Sequence, residues 1–316
     1  MAKRLKLEII EEAHYEKKDP VFSTTLFDLP VQDIACTHIA KYLSVEDIFN
    51  FRECSPDCLN LGNEILANLR VILLEDYDLC IPHSSKGRVI NNEYYALIKY
   101  CRNLQKLTLK RLRYVTSAIL CGLLRNNPHL RDITIESCKT IYYRPLYTIA
   151  VRCKNLTRLS LSGMYCNERF LYILAKHNTN LVALEIICNK RTISQKCLEE
   201  FFAKQPNLEW INLEKLTPCF MRDISPVLAV IAGVCRNLRY LNISRCPGVE
   251  NESLINIAKS CPKMEKIVLY LVDEYDYSDD ESIDTYYSDD SHNYAKVSKG
   301  TYRFLKSKNI HVQINY

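Results

Sequence analysis

Apolar and polar residues alternate in a pattern that recurs along most of this chain. Seven six-residue segments have apolar residues at their first, fourth and sixth positions. The first members of successive segments are separated by 26, 26, 25, 27, 30 and 26 residues. The seven segments are Leu104/Leu107/Leu109, Leu130/Ile133/Ile135, Leu156/Leu159/Leu161, Leu181/Leu184/Ile186, Leu208/Ile211/Leu213, Leu238/Leu241/Ile243 and Met264/Ile267/Leu269.

Each segment predicts one short β-strand, because its fourth and sixth residues lie on the same face of an extended chain. One such strand cannot bury its apolar face alone, whereas seven strands stacked in parallel form a continuous core. A period of about 20–29 residues with this core is typical of a leucine-rich repeat. The predicted fold class is therefore α/β, a solenoid with a curved parallel sheet and outer helices.

A helix is predicted between successive strands, because apolar residues at helical spacing follow the strand segments. Cap residues and a proline predict where four of these helices begin, namely Thr116, Asn167, Asn251, and Ser225 with Pro226 at the first helical position. Outer strands are predicted at residues 71–74 and at the alternation Ile310/Val312/Ile314. Between the last two strands lies an acidic insertion, and its composition predicts a disordered loop over residues 273–292.

A different pattern precedes the repeats and predicts a small helical unit. Leu29 and Pro30 begin a first helix, and Ser44 with Asp47 resembles a capping box for the next. The predicted division is a polar tail over residues 1–24, a helical domain over 25–66 and the repeat domain over 67–316. Two or three short helices cannot bury a good core alone, so we expect this unit to lean on a partner or on the solenoid.

This helical segment resembles an F-box. The matching residues are Leu29, Pro30, Ile34, Ile39, Tyr42, Leu43, Ser44, Asp47, Ile48 and Cys54. Two positions depart from the family pattern, since Ala40 stands where Phe is usual and no Trp follows Cys54. Together with cysteine-containing repeats, the chain is similar to the F-box/leucine-rich-repeat protein family.

The resemblance implies a non-catalytic substrate receptor of a Skp–cullin–F-box ubiquitin ligase, in which the F-box binds a Skp-type adaptor and the repeats bind a protein substrate. The residues expected to bind the adaptor are Leu29, Pro30, Ile34, Ile39, Tyr42, Leu43, Ile48 and Phe51. One alternative is a scaffold protein whose F-box has decayed. Another is a secreted repeat protein with sulfated tyrosines in the acidic loop, which the absence of a signal peptide disfavours.

Substrate binding is expected on the concave face, where the polar positions of each strand project from the sheet. The alternating register places the only tryptophan, Trp210, beside Tyr240 in neighbouring strands. Exposed aromatic residues are favoured interface anchors, although mutual shielding would explain the pair equally well. The predicted substrate-binding residues are Trp210, Tyr240, Ile187, Asn212, Asn242, Val268 and Tyr270.

Composition narrows the function classes further. The formal charge is +5, and residues 273–290 hold nine acids with no Lys or Arg, so the remainder is strongly basic. Because no single segment collects this charge, nucleic acid is an unlikely partner. Of the fifteen cysteines, six fall at positions locked to the repeat, namely Cys101, Cys138, Cys153, Cys235, Cys246 and Cys261, which indicates packing rather than disulfides or metal ligands. With no catalytic pattern, cofactor motif or apolar run long enough for a membrane, we expect a cytoplasmic or nuclear binding protein.

Overall fold

The computed structural model describes residues 36, 38–75, 89–112, 115–138, 140–187, 193–216, 223–270 and 297–315. Its strands form one parallel sheet in which spatial order follows sequence order throughout. This arrangement confirms the solenoid, and all seven predicted cores and both outer strands are present. The strands are β1 (Val71–Glu75), β2 (Lys106–Lys110), β3 (Asp132–Glu136), β4 (Arg158–Ser162), β5 (Ala183–Ile187), β6 (Trp210–Asn212), β7 (Tyr240–Asn242), β8 (Lys266–Tyr270) and β9 (His311–Asn315).

Helices connect the strands, as the periodicity predicts. Two further helices precede β1, after a 3-10 turn at Ala40–Tyr42. The helices are α1 (Val45–Arg52), α2 (Pro56–Asn68), α3 (Val89–Tyr100), α4 (Ser117–Asn126), α5 (Tyr143–Arg152), α6 (Glu168–His177), α7 (Gln195–Phe202), α8 (Ser225–Val234), α9 (Asn251–Ser260) and α10 (Lys299–Ser307).

The core lies between the sheet and the helices. In neighbouring strands the apolar residues are paired in register, as in Leu107 with Ile133 and Ile133 with Leu159. All three side chains are buried. Burying one Leu or Ile side chain contributes about 1.5–3 kcal/mol, so the repeated strand positions supply a large part of the driving force for folding.

A second buried row joins consecutive repeats through hydrogen bonds. The position three residues before each core is occupied by Cys101, Asn127, Cys153, Asn178, Gln205, Cys235 or Cys261, and all seven residues are buried. Asn178 donates to the carbonyl of Ala150, and Gln205 donates to that of Asn178. The thiol of Cys235 in turn lies 3.3 Å from the carbonyl oxygen of Gln205. The predicted packing role of the cysteines is therefore only part of their contribution.

A third repeated feature is a left-handed residue just after a strand. Arg111, Ser137, Gly163, Lys215 and Arg245 all have φ between 52° and 67°. In three of these residues the backbone N–H is bonded to the last carbonyl of the neighbouring strand, as in Ser137 N to Ser162 O at 2.8 Å, and Lys215 N is bonded to Ser244 O, two residues beyond the end of β7. Four of the five carry a Cβ, which makes this conformation unfavourable. The turn geometry is thus imposed by the stacked repeats.

The N-terminal helices form a hairpin that packs on the solenoid. Ser44 and Asp47 make the predicted capping box at the start of α1, with the Ser44 N–H donating to Asp47 at 2.9 Å. Ile48, Leu66 and Ile72 belong to one hydrophobic core that continues into the repeats. The predicted boundary at residues 66–67 lies within α2, which ends at Asn68; the division into domains stays a prediction.

Two predicted helix starts are wrong by one residue. Helix α9 begins at Asn251 with Glu250 as its N-cap, because the Asn251 side chain accepts a hydrogen bond from Ser298 N instead. Helix α8 begins at Ser225, so Pro226 is its second residue. The predicted caps at Thr116 and Asn167 are confirmed, since each side chain accepts a backbone N–H in the first turn. The polar tail and the acidic loop lie outside the described residues.

Candidate functional site

The two aromatic residues of the concave face stack directly on one another. Trp210 on β6 and Tyr240 on β7 are paired in register, and their ring centroids are 4.9 Å apart with an interplanar angle of 7°. The Nζ of Lys266, on β8, lies 6.0 Å from the Tyr240 ring centroid on the side away from Trp210. The rings therefore stand on edge along the sheet and cover each other's inner faces, which is the mutual shielding that the sequence left open as an alternative.

Burial and nearby carboxylates perturb the tyrosine of this stack. Burial raises the pKa of Tyr240, and Glu185 and Glu214 raise it further. Tyr240 is thus a neutral hydroxyl donor at neutral pH. Both Trp210 and Tyr240 are half-buried, so each keeps an accessible edge.

Three of the predicted substrate-binding residues are buried, so the prediction is wrong for these three. Asn212, Asn242 and Val268 are exposed by only 7%, 6% and 4%. They belong to the middle row of the concave face, where side chains from adjacent strands close over one another. Ile187 and Tyr270, in the outer row, are half-buried and keep an accessible surface.

The two asparagines have a structural role at the ends of their strands. Asn212 Oδ1 accepts the N–H of Glu214 at 3.1 Å, and Asn242 Oδ1 accepts the N–H of Ser244 at 3.0 Å. An asparagine that bonds to the backbone two residues later forms an Asx turn. These turns end β6 and β7 after three residues, so the two amides are not free to bind a substrate.

The first half of the concave face presents paired charges. Asp132 lies between two cations, 3.5 Å from Lys106 Nζ and 3.7 Å from Arg158 Nε. Lys110 and Glu136 form a similar pair at 3.4 Å in the outer row. Exposed pairs of this kind contribute about 0–1 kcal/mol each to stability. Their main effect is that charged side chains of strands β2 to β4 are paired with one another.

Between the charged strands and the aromatic stack lies a depression of about 400 Å³. Its floor includes Ala183, which is paired with Arg158 on one side and Trp210 on the other. The depression exists because Ala183 has only a methyl side chain, whereas its neighbours Arg158 and Trp210 have long ones. Sequence reasoning missed it, although Ala183 could have been recognised as the exception in that row.

A carboxylate on β5, two residues along from Ala183, also lines this depression. Glu185 accepts hydrogen bonds from Ser160 Oγ at 2.6 Å and from Asn212 Nδ2 at 2.8 Å. Within the described part of the chain, no ion pair involves Glu185. The depression therefore combines an aromatic wall with a carboxylate fixed by two neutral donors.

The predicted adaptor-binding residues are divided between surface and core. Tyr42 is 79% exposed, whereas Ile39, Leu43 and Phe51 are partly buried. Ile48 is fully buried, so the prediction that it binds the adaptor is wrong. Its side chain instead packs the hairpin onto the solenoid. Leu29, Pro30 and Ile34 lie outside the described residues.

Metal binding finds no support among the residues that the structure describes, because no group of three or more His, Cys, Asp or Glu side chains is close enough to hold an ion. None of the twelve described cysteines forms a disulfide. Burial raises the pKa of Cys101, Cys153 and Cys235 to about 12, so these thiols are unreactive at neutral pH. None of the described helices combines the length and apolar character needed to cross a bilayer.

Comparison with known proteins places these features in context. No protein-family model matches the chain. It is 24% identical over 223 residues to a transport inhibitor response 1-like protein from rice, covering 54% of this chain and 39% of the relative. It is 30% identical over 140 residues to the F-box protein SKIP17 of Arabidopsis thaliana, covering 42% of this chain and 28% of the relative. The chain thus spans well under half the length of these curated relatives.

Solved structures with a similar arrangement include repeat proteins. The chain matches a structure of the yeast Rad7–Elc1 complex with a TM-score of 0.38 and 12% identity, covering 66% of each chain. It matches the leucine-rich-repeat protein LegL7 of Legionella pneumophila with a TM-score of 0.37 and 14% identity, covering 72% of this chain and 73% of that one. Scores this low carry no functional information.

Proposed function

We propose that this chain, as a relative of the F-box/leucine-rich-repeat proteins, is the substrate-recognition subunit of a cullin–RING ubiquitin ligase of the Skp–cullin–F-box type. In this role the helical hairpin binds a Skp-type adaptor and the concave face binds a protein substrate. Catalysis by the chain is not required, because holding a substrate near a ubiquitin-charged enzyme raises its effective concentration. Such a ligase acts in the cytoplasm or the nucleus.

The observation that best supports this proposal is the aromatic stack of Trp210 and Tyr240 on the concave face. Tryptophan and tyrosine are the residues most enriched at the energetic centres of protein interfaces. A second observation is the core that the hairpin shares with the repeats, including Ile48 and Leu66. A shared core fixes the adaptor-binding hairpin relative to the concave face, which would hold a bound substrate at a set distance from the ubiquitin-charged enzyme.

Adaptor binding is tested by purifying the chain from cells and measuring the retained adaptor and cullin. The double variant Leu29→Ala, Pro30→Ala removes apolar area at the predicted docking edge, and we expect a loss of about 1–3 kcal/mol per large anchor. The control is Leu59→Ala, because Leu59 is an exposed leucine of α2 outside the predicted docking residues. Undiminished adaptor with the double variant would rule out this docking mode.

Substrate binding is tested with Trp210→Ala and Tyr240→Ala, scored by the partners that remain bound while the adaptor is kept. We expect about 2 kcal/mol or more of lost binding for each. Each variant also loses the ring stack, which costs only about 0.5–1.5 kcal/mol of stability. Leu241→Ala, one residue along on the buried face, is the matched control and should cost roughly 2–5 kcal/mol of stability. Unchanged partners with a folded Trp210→Ala protein would exclude the stack as the substrate site.

A scaffold protein with a decayed F-box is the second candidate. The burial of Ala40 and Ile48 favours it, because part of the apolar hairpin surface is used internally. If the unaltered chain never retains adaptor while its concave-face partners remain bound, the scaffold function replaces the ligase function.

A further inference from the structure

The aromatic stack is closed at one end and open at the other. Lys266 lies over the outer face of Tyr240, so a cation covers that end. The opposite face, on Trp210, borders the depression above Ala183. A tryptophan face is the most favourable aromatic partner for a cation. The open face of Trp210 therefore lacks a cation like the one that Lys266 provides on the outer face of Tyr240.

The open end has room for a flat group. Arg158, Ala183 and Trp210 occupy three consecutive strands in register. Neighbouring strands are about 4.8 Å apart, so the side chains of Arg158 and Trp210 are separated by two strand spacings with only a methyl group between them. A planar group placed above Ala183 would continue the stack at the same spacing.

Among the charged residues around the depression, one carboxylate favours a cation as that planar group. Of the two carboxylates that line it, Asp132 already binds Lys106 and Arg158 on the far wall. Glu185, on the same strand as Ala183, accepts bonds only from the neutral groups of Ser160 and Asn212. Glu185 is thus the lining carboxylate whose charge no described cation neutralises.

We propose that this depression binds one arginine side chain of the protein partner, with the guanidinium stacked on the open face of Trp210 and donating hydrogen bonds to Glu185. Arginine fits better than lysine, because its guanidinium is planar, stacks on aromatic faces and offers a fork of donors to a carboxylate. This inference rests on the proposed function in taking the concave face as a protein-binding surface, and it assigns that surface a chemical preference.

The intrinsic fluorescence of Trp210 reports on this site directly, because Trp210 is the only tryptophan in the chain. The full chain is titrated with Nα-acetyl-L-arginine methylamide and, in parallel, with the corresponding citrulline compound, which is planar but uncharged. We expect a saturable fluorescence change with the arginine compound. The affinity for the citrulline compound should be lower by about tenfold or more, because a charge-assisted hydrogen bond is lost.

Two variants and a control locate the site. Glu185→Gln keeps the shape of the side chain and should lower the affinity for the arginine compound by about tenfold or more. Ala183→Leu should fill the depression and abolish the fluorescence change, with thermal melting measured to establish that the variant is folded. Glu136→Gln removes a carboxylate from the same face outside the depression and should leave the affinity unchanged.

Three results would overturn the inference: no saturable change with the arginine compound, equal affinity for citrulline, or an unchanged affinity in Glu185→Gln. These results are independent of the ligase proposal, which is measured by adaptor retention. A chain that retains adaptor but does not bind the arginine compound refutes only the pocket. A chain that binds arginine but never retains adaptor supports the pocket and refutes the ligase function.

Discussion

Replacing Asn127 with alanine should be among the most destabilising single changes at a polar residue of this solenoid. Asn127 is fully buried and makes three hydrogen bonds with its side chain. Its Nδ2 donates to the carbonyls of Cys101 at 2.9 Å and Leu123 at 2.8 Å, and its Oδ1 accepts the N–H of Leu104 at 2.9 Å. One amide thus joins the end of α3, the end of α4 and the chain entering β2.

The expected magnitude follows from the groups left behind. In Asn127→Ala the Leu104 N–H and the Cys101 carbonyl stay buried without a described partner, and each such group costs about 1–3 kcal/mol. We therefore expect a loss of roughly 2–6 kcal/mol in the free energy of unfolding. Asn127→Cys should fall between this variant and the unaltered chain, because the same repeat position holds a cysteine in Cys101 and Cys153 and a thiol remains a weak donor.

Urea unfolding followed by circular dichroism measures this loss. Asn126→Ala is the matched control, because the neighbouring Asn126 is only half-buried and its side chain makes one described bond, to the Ile98 carbonyl at 2.7 Å. Its removal should cost about 0.5–1.5 kcal/mol. If the two alanine variants lose the same stability, the buried row of side chain–backbone hydrogen bonds does not stabilise the junctions between repeats.

Two further predictions concern the turns and the thiols. Ser137→Gly should raise the free energy of unfolding by about 0.5–1 kcal/mol, because Ser137 has φ 52°, and Gly163→Ala, at φ 67°, should lower it; chemical denaturation measures both. Alkylation at pH 8, read by mass spectrometry, should modify the exposed Cys54 and spare Cys246, whose pKa burial raises to about 12. Because the unfolded chain ionises this thiol near pH 9 while the folded chain keeps it protonated, stability should fall as the pH rises from about 9 to 12.

The sequence predicts the repeated positions well, and the reason is physical. A strand core such as Leu156/Leu159/Leu161 recurs because every repeat must bury the same positions against its neighbours, so seven copies reinforce one weak local signal. The helix starts are less predictable, because tertiary partners compete for the same side chains. Asn251 resembles a cap by residue type, yet its side chain bonds to Ser298, 47 residues away.

Exposure on the two proposed binding surfaces could not be predicted from one strand or one helix alone. Asn212 and Asn242 occupy positions that point away from the core, but adjacent strands and their own Asx turns bury them. Ile48 lies on the apolar side of an amphipathic helix, and the sequence does not state whether that side faces a partner or the chain's own solenoid. Each of these answers depends on residues distant in sequence.

The residues that break the repeat are the best guide to what distinguishes this solenoid from others. In the concave row, charged residues occupy strands β2 to β4 and aromatic residues occupy β6 and β7, with Ala183 alone on β5 between them. Stacking of the repeats requires apolar residues in the buried rows but does not constrain the residues of the concave row. The composition of the concave row can therefore be adapted to a ligand. The change from charge to aromatic surface at Ala183 coincides with the depression and with Glu185. The arginine proposed for this depression offers a group that is both planar and cationic, which suits a surface where charged and aromatic residues meet.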